Sequence, residues 1–275
     1  MRELPLPTLP LSDLLAPSAH RRSLHPGSQP PRLEVAWARD EADVRAAQRL
    51  RHAVFADEMG ARLNLPVGAP PGHDIDMFDP FCEHLLVRAP AGADGEPGAV
   101  IGTYRVLTPA AARRVGGLYS DTEFDLTRLR PLRARMVELG RSCVHPDWRA
   151  GGVILALWGA LGEFMQRNGL ETMIGCASVG MRDGGHVAAS LWQQLRQTHL
   201  APIEWQVRPR LALPVEDLRT DLAVEPPALI KGYLRCGAQL LGPPAWDPDF
   251  NTADLPLMMR LAELPARYRR HFLAA

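Results

Sequence analysis

Three consecutive stretches of the chain decide the fold: RMVELGRSCV (135–144), HPDWRAGG (145–152) and VILALWGALGEFMQRNG (153–169). The first is a short apolar run that predicts a buried strand, and the third is apolar almost all round, which predicts a deeply buried helix. The glycines between them allow a tight turn from strand to helix. A second apolar strand, ETMIGCASV (171–179), follows that helix. A strand, a crossover helix and another strand predict a parallel pair inside a sheet.

The first half of the chain predicts a strand, a helix and a hairpin. LEVAWA (33–38) alternates as a strand does, and apolar residues then recur at helical spacing between residues 41 and 59. EHLLVRAP (83–90) and AVIGTYRVLTP (99–109) are strand-like, and the segment between them is rich in glycine and proline. These two strands therefore predict a β-hairpin.

The last third of the chain adds shorter elements. Helices are expected at 186–197 and 226–237, and strands at 203–209 and 255–263. The alternation of strands with helices predicts an α/β domain with a mixed central sheet flanked by helices. Residues 33–275 form this single domain, and the proline-rich residues 1–32 are expected to form a flexible tail.

Composition excludes several classes of protein. The 275 residues include 31 basic and 31 acidic side chains, so the formal net charge is zero and a protein that coats nucleic acid is not expected. The four cysteines form no CxxC pair and predict buried thiols. The histidines lack ligand spacing, so no metal is expected. No apolar run reaches about 18 residues, which together with the prolines near the start predicts a cytoplasmic protein.

Glu138 and Arg141 are charged residues inside the central apolar strand. Strict alternation would direct them to opposite faces of the sheet. Gly140 between them is a natural site for a β-bulge, which would turn both toward one side. From the spacing alone, a structural ion pair and a functional pair both remain open.

The strand-to-helix turn is a candidate anion site. Arg149, Gly151, Gly152 and Val153 lie where the buried helix begins. Exposed amides at a helix start favour a phosphate, and glycine lets the backbone approach it closely. A glycine turn with no ligand is the alternative.

Another group of charged and aromatic residues lies before the central strand. Arg51 and Phe55 fall in the first predicted helix, Asp76 and Asp79 in the loop that follows, and Arg105 in the hairpin. A buried network of salt bridges and a substrate site are both compatible with this pattern.

Taken together, these residues resemble a known family. Arg51, Phe55, Asp76, Asp79, Arg105, Glu138 and Arg141 match the pattern of the acyl-homoserine-lactone synthases, which have a GNAT-like fold. The chain is still more similar to the L-ornithine Nα-acyltransferases, long labelled hemolysin-like, over roughly residues 33–272. The similar stretches are RLRHAVFADEMG (49–60), DMFDPFCEHLLV (76–87), VIGTYRVL (100–107), YSDTEFDL (119–126), MVELGRSCVHPDWR (136–149), PPALIKGYLRCGA (226–238) and DPDFNTADLPLM (247–258).

Two departures narrow the resemblance. The tryptophan typical of lactone synthases near the end of the first helix is absent, and Met59 and Gly60 occupy that region. The coenzyme-A signature is half met, because Arg149 and Gly152 fit but Ile154 replaces the last small residue. The first departure argues against lactone synthesis. The second favours an acyl carrier protein donor, whose 4′-phosphopantetheine carries one phosphate, over acyl-CoA.

The resemblance implies a GNAT-like fold with splayed middle strands and transfer of a (3-hydroxy)acyl chain to the α-amine of L-ornithine, giving lyso-ornithine lipid. It implies Glu138 as general base, with Arg141, Arg105, Asp76 and Asp79 organising the catalytic site. Arg51, Phe55 and Cys143 are expected to contact substrate. Arg149, Gly151, Gly152 and Val153 are expected to bind the phosphopantetheine phosphate of the donor, and no resident cofactor is expected.

The expected partners are an acidic acyl carrier protein, a small amino acid and, peripherally, the inner face of the membrane. A basic docking face is expected from Arg113, Arg114, Arg128, Arg130, Arg133 and Arg135. The basic C-terminal stretch ARYRRHFL (266–273) is expected to meet anionic lipid. Another acceptor such as glycine, a coenzyme-A donor and a lipid-binding module without catalysis remain alternatives.

Overall fold

The computed structural model describes residues 33–92, 96–149 and 152–272. The strands are β1 (Glu34–Trp37), β2 (Glu83–Arg88), β3 (Val100–Leu107), β4 (Phe124–Asp125), β5 (Met136–Val144), β6 (Thr172–Gly180), β7 (Arg208–Pro209), β8 (Gln239–Leu240), β9 (Ala245–Asp247) and β10 (Thr252–Arg260). The helices are α1 (Glu41–His52), α2 (Pro109–Val115), α3 (Ser120–Glu123), α4 (Val153–Arg167), α5 (His186–His199), α6 (Ala228–Arg235) and α7 (Ala266–Phe272).

One mixed sheet organises the described part of the chain. Its strands lie in the order β1-β2-β3-β5-β6-β10-β8, and β9 pairs with β10. All neighbours are antiparallel except β5 and β6, which are parallel as predicted. Helices α4, α5 and α6 pack on one face, and α1, α2 and α3 cover the other. The predicted α/β domain with a mixed sheet flanked by helices is confirmed.

Several elements differ from the sequence-based prediction. The first helix ends at His52 and continues as a π-helical turn, Ala53–Glu58. The strand predicted at 203–209 is wrong: a 3-10 helix, Ile203–Trp205, occupies its beginning, and only two residues join a strand pair. Pro202 precedes this run and Pro209 ends it, and neither has an N–H to donate to a ladder. Residues 1–32 lie outside the described residues, so the flexible tail stays a prediction.

The two middle strands separate partway along the sheet. β5 pairs with β6 only from Met136↔Thr172 to Glu138↔Ile174, whereas β6 pairs with β10 along its whole length. Beyond Glu138 the ladder between β5 and β6 ends. The sheet therefore has the interior gap that the splayed strands of the resembled fold predict.

A β-bulge lies in β5 beside this gap. Thr103 pairs with Cys143 and Arg105 pairs with Gly140, so two residues of β5 oppose one residue of β3. The left-handed backbone lies at Arg141, with φ of 49°, and not at Gly140. The extra residue reverses the alternation, so that Glu138 and Arg141 both face the α1 side.

Two further observations bear on the cysteines and on membranes. All four cysteines are unpaired thiols, as expected. Among the helices of the described residues, none is both long enough and apolar enough to cross a bilayer.

Candidate active site

A cavity of about 630 Å³ passes through the gap between β5 and β6. We call it the main cavity. On the α4 side its wall is apolar, formed by Ile154, Leu155, Trp158, Leu229, Ile230 and Tyr233. On the α1 side it is polar, and Arg105, Ser120, Glu138, Arg141 and Asp254 contribute there. An apolar channel thus meets a set of charged groups at the point where the strands separate.

Glu138 reaches the polar end of the main cavity, and three donors hold its carboxylate. The N–H groups of Tyr119 and Ser120 donate to it at 2.6 and 2.7 Å, and the Ser120 hydroxyl also donates to it. Its side chain is almost completely buried, and this burial raises the pKa of the carboxyl group despite the three donors. Glu138 therefore fixes the beginning of α3 against β5.

Arg141 is held between two aromatic rings. Its guanidinium carbon lies 4.8 Å from the centre of the Tyr119 ring and 4.6 Å from that of Phe250. Stacking on aromatic faces suits the planar guanidinium group. The rings hold Arg141 in the wall, where its charge faces the cavity.

Three arginines and three aspartates form a buried network behind this wall. Arg51 is fully buried and pairs with Asp74 at 2.9 Å and Asp79 at 2.6 Å. Arg105 pairs with Asp76 at 2.7 Å and with Asp79 at 3.0 Å. Arg141 reaches Asp74 and Asp76, each at 3.3 Å.

The charges of this network balance, since three guanidinium groups face three carboxylates. The neighbouring Arg51 and Arg105 outweigh the effect of burial on Asp79 and lower its pKa to about 2. Arg105 and Arg141 likewise hold the pKa of Asp76 below its ordinary value despite burial. Asp79 and Arg51 lie behind the cavity wall, whereas Arg105 and Arg141 line it.

The predicted phosphate site contains an exposed ion pair. Both terminal nitrogens of Arg149 donate to Glu58, at 2.7 and 2.6 Å, and its Nε donates to the Val144 carbonyl at 3.1 Å. Gly152 caps α4 and Val153 begins it, so their backbone lies beside Arg149 as predicted. Gly151 lies outside the described residues. A phosphate would have to share Arg149 with Glu58 or displace that carboxylate.

The remaining predicted substrate contacts lie around α1. Phe55 and Cys143 both line the main cavity. The Phe55 ring meets Phe250 edge to face at 5.8 Å, and Cys143 packs with Leu50 and Val54. Burial raises the pKa of the Cys143 thiol to about 12, so it offers an apolar surface and not a nucleophile.

The IKGYLRCGA stretch builds the far wall of the main cavity. The Tyr233 hydroxyl bonds to that of Tyr104, the residue opposite the bulge, and its ring stacks on Trp158 at 5.3 Å. A Cβ at Gly232 would lie 2.5 Å from the Trp158 ring, so only glycine allows this approach. Through the contact between Tyr233 and Tyr104, this cavity wall is connected to the bulge beside the gap between β5 and β6.

A second, smaller cavity of about 350 Å³ adjoins the main one, and we call it the side pocket. The two share the residues Phe78, Tyr119, Arg141, Asp247 and Phe250. Side chains of both charges line the side pocket. The acids are Asp74, Asp76, Glu123, Asp247 and Asp249, and the bases are Arg62, Arg141 and Arg210. This lining suits a small zwitterionic molecule.

Glu123, Cys176 and Asp254 form a cluster where the two cavities meet. Their ligand-type atoms all lie within 4.8 Å of one another, a spacing that would also allow a metal ion. Burial raises the pKa of all three groups. A metal ligand must first lose its proton, and the raised pKa of each group opposes that loss.

Comparison with known proteins identifies the family of this chain. A model described as an acetyltransferase (GNAT) domain matches residues 50–159. The L-ornithine N(alpha)-acyltransferase of Rhodobacter capsulatus is 36% identical over 248 residues, covering 87% of this chain and 94% of the relative. The enzyme of the same name from Agrobacterium fabrum is 36% identical over 252 residues, covering 87% and 85%. The chain belongs to the L-ornithine Nα-acyltransferase family.

A solved structure agrees on the fold. FeeM, an N-acyl amino acid synthase from uncultured soil microbes, superposes with a TM-score of 0.51 at 10% identity, covering 87% of this chain and 99% of the other. At this identity the likeness shows the fold alone. The protein is thus an acyltransferase with a GNAT domain, as the sequence predicted.

The arginines predicted to dock the carrier protein lie at the opposite end of β5 from Arg149, and their docking role stays a prediction. They lie before or around the beginning of that strand, whereas Arg149 follows its end. Arg133 pairs with Asp121, and Arg135 with Glu171, which reduces the positive charge of this surface. Arg149, Arg182 and Arg235 are exposed near the other end of the cavity, where Arg149 pairs with Glu58.

The C-terminal stretch also differs from a free lipid-binding helix. Helix α7 packs against α4, and Tyr268 lies with Leu155 and Leu264 in a small apolar cluster. The Arg267 guanidinium lies 4.5 Å from the Tyr268 ring centre. Tyr268 therefore faces the protein, and Phe272 is a residue whose side chain lies outside the described part of the structure.

Sequence reasoning missed several residues of the site. Asp74 completes the arginine network, and Tyr119, Glu123 and Asp254 line the cavities. Asp254 offered a signal, because an acid inside the apolar run ADLPLMM is as unusual as Glu138 in its strand. Glu123 offered no such signal, since it stands among polar residues of a short helix.

Proposed function

We propose that this enzyme transfers a (3-hydroxy)acyl chain from acyl carrier protein to the α-amine of L-ornithine, giving lyso-ornithine lipid. The reaction would take place in the cytoplasm, where carrier-protein thioesters and free ornithine are both available. The observation that supports the proposal above the others is that the main cavity joins an apolar channel to a pocket lined by side chains of both charges. Relatives at 36% identity are also named for ornithine acylation.

The apolar side of the main cavity suits the acyl chain. Each buried methylene contributes about 0.8 kcal/mol, so a long chain supplies much of the donor affinity. Trp158, Ile230 and Tyr233 form this side, and they offer no charged group to the chain. The thioester carbonyl would then lie at the gap in the sheet.

The backbone of β5 provides a donor for the oxyanion there. His145 N–H donates to the Ile101 carbonyl of β3 at 2.8 Å. Since N–H groups alternate along a strand, that of Val144 points to the opposite edge, where pairing with β6 has ended. Backbone donors placed in this way typically contribute about 3 kcal/mol to stabilisation of a tetrahedral intermediate.

The side pocket suits the amino acid. Ornithine carries a carboxylate and two amines, and the pocket offers arginines and carboxylates on opposite sides of a small volume. Asp247 and Asp249 would attract the side-chain ammonium, which glycine lacks. Arg141 lies between both cavities and would orient the acceptor carboxylate toward the thioester.

Arg149 and Glu58 give a prediction about the donor. Arg149→Met is expected to raise KM for acyl carrier protein thioesters about tenfold, because a charge-assisted hydrogen bond to phosphate is lost. Glu58→Gln is expected to lower KM or leave it unchanged, since the competing carboxylate is removed. Steady-state kinetics with each variant measures both effects. Equal KM values for wild type and Arg149→Met would contradict the phosphate role.

Product analysis tests the proposed function directly. The purified enzyme is incubated with 3-hydroxyacyl and acyl thioesters of carrier protein or of coenzyme A, each with ornithine, glycine, lysine or no amine. Mass spectrometry is expected to find the Nα-acyl amide of ornithine with the carrier-protein donor. A preference for coenzyme A or for another amine would replace the corresponding part of the proposal, and no amide with any pair would reject it.

A further inference from the structure

We propose that Glu123 and Asp254 together form the proton acceptor for the attacking amine. The proposal rests on the proposed function, because it assigns a step of the same aminolysis. It differs from the sequence-based assignment of the general base to Glu138.

The position of the two carboxyl groups is the first argument. Glu123 lines the side pocket, Asp254 lines the main cavity, and their carboxyl oxygens lie within 4.8 Å of each other. The pair therefore stands in the wall between the proposed acceptor pocket and the proposed thioester channel. An amine that passes from one to the other must approach it.

The hydrogen-bonding state of the carboxyl groups is the second argument. Both oxygens of Glu123 are shielded from solvent and accept from no backbone N–H of the described residues, among which only the Tyr119 hydroxyl and the Cys176 thiol lie close enough to lower its pKa in part. Asp254 accepts from the Thr252 hydroxyl at 3.0 Å, and the Ser178 and Glu123 side chains also lie close enough to lower its pKa in part. Glu138, in contrast, already accepts three donors. A carboxylate whose lone pairs are occupied is a poorer base than one that is free to accept.

The electrostatic surroundings favour one shared proton. Two buried carboxyl groups at this distance cannot both ionise without strong repulsion. The other titratable groups that face the pair are Tyr119, Cys176 and Asp247, and beyond them Arg141 faces Tyr119 and Glu138 faces Cys176. Burial and mutual repulsion raise the pKa of both members, and a raised pKa makes whichever carboxylate is ionised a stronger base.

The protons of the reaction balance with this assignment. An ornithine α-ammonium has three protons, and the pair accepts one of them. The free amine attacks the thioester carbon, the C–N bond forms, and the C–S bond breaks. A second proton ends on the leaving phosphopantetheine sulfur, the third stays in the amide, and the pair returns its proton to water.

The test compares Glu123→Gln and Asp254→Asn with wild type over a range of pH. Asp221→Asn, an exposed carboxylate that pairs with Arg219, is the matched control. The amine is whichever one wild type acylates. Wild-type log kcat/KM is expected to level off below the pKa of the amine, because the pair removes its proton. In the two pair variants, kcat/KM is expected to fall about 10²- to 10⁴-fold at neutral pH. Their log kcat/KM is expected to rise with pH at unit slope and to reach no plateau below the pKa of the amine.

Hydroxylamine as the acceptor distinguishes a general-base role of Glu123 and Asp254 from a purely structural one. Its conjugate acid is far more acidic than an amino-acid ammonium, so it is mostly unprotonated at neutral pH and needs no base. The pair variants are expected to form hydroxamate at rates close to wild type. Their folding at pH 8 is expected to be unchanged or more stable, because a carboxyl group with a raised pKa costs stability above its ordinary pKa.

Several results would overturn the proposal. They are a pair variant with the wild-type rate and pH profile, an equal loss with hydroxylamine, and wild-type activity that a chelator abolishes, which would indicate a metal on this cluster. If wild type acylates glycine but not ornithine, the ornithine assignment fails while the pair is still tested. If wild type forms no amide at all, both fail.

Discussion

Arg51→Met is expected to destabilise the fold by about 3–5 kcal/mol, the usual result of removing one partner from a buried ion pair. The methionine fills much of the same volume but leaves Asp74 without Arg51 and Asp79 with Arg105 alone. Urea unfolding at pH 7 measures the free energy. Arg45→Met is the control, because its exposed pair with Glu41 contributes only about 0.3–0.5 kcal/mol.

The same variant is expected to change the response to acid. The folded-state pKa of Asp79 is about 2, below its ordinary value of 3.8. A lowered pKa contributes stability above the ordinary value, and this contribution is lost as the pH falls from about 4 to about 2. Without Arg51, that acid-dependent part should shrink. A variant as stable as wild type at pH 7, with the same acid transition, would contradict the structural importance of the network.

Glu138→Gln is expected to lower kcat/KM about 100-fold, a loss typical of a misplacement of about 1 Å near the reacting groups. The amide nitrogen would meet one of the N–H donors at the beginning of α3, so donor would face donor. Tyr119, and with it the stacked Arg141, would shift. The measurement is kcat/KM over the same pH range as for the carboxyl pair.

The pH profile decides what Glu138 does. If Glu138 only positions α3, log kcat/KM of the variant reaches a plateau at the same pH as wild type, but at a lower value. Glu83→Gln, an exposed carboxylate at the start of β2, serves as the control and should match wild type. A Glu138→Gln profile without levelling would restore this residue as the base and remove that role from Glu123 and Asp254.

The central features of the fold were predictable because they depend on local patterns. Apolar runs around one buried helix predicted the parallel pair, and Gly140 between Glu138 and Arg141 predicted an interruption in the ladder. The position of the left-handed residue was not predictable. Glycine adopts that backbone most easily, yet Arg141 does so here, where two aromatic rings and two carboxylates hold its side chain.

The site was less predictable where residues distant in sequence meet. Glu123 and Asp254 come together only because α3 packs beside β6 and β10, which no local spacing reveals. The Arg149 turn could be located from its glycines, but the opposing Glu58 lies on a π-helical turn that the helical periodicity did not anticipate. Tertiary packing, and not local propensity, decides these contacts.

The three-residue contact between β5 and β6 also has a mechanical consequence. The sheet consists of two halves, β1-β2-β3-β5 and β6-β10-β8, joined by this short ladder. Beyond the ladder, contact between the halves depends on side chains and on what occupies the gap. A bound thioester would keep β5 and β6 apart and would also contact both halves of the sheet. Binding of the donor would then both prepare the active site and increase the stability of the folded protein.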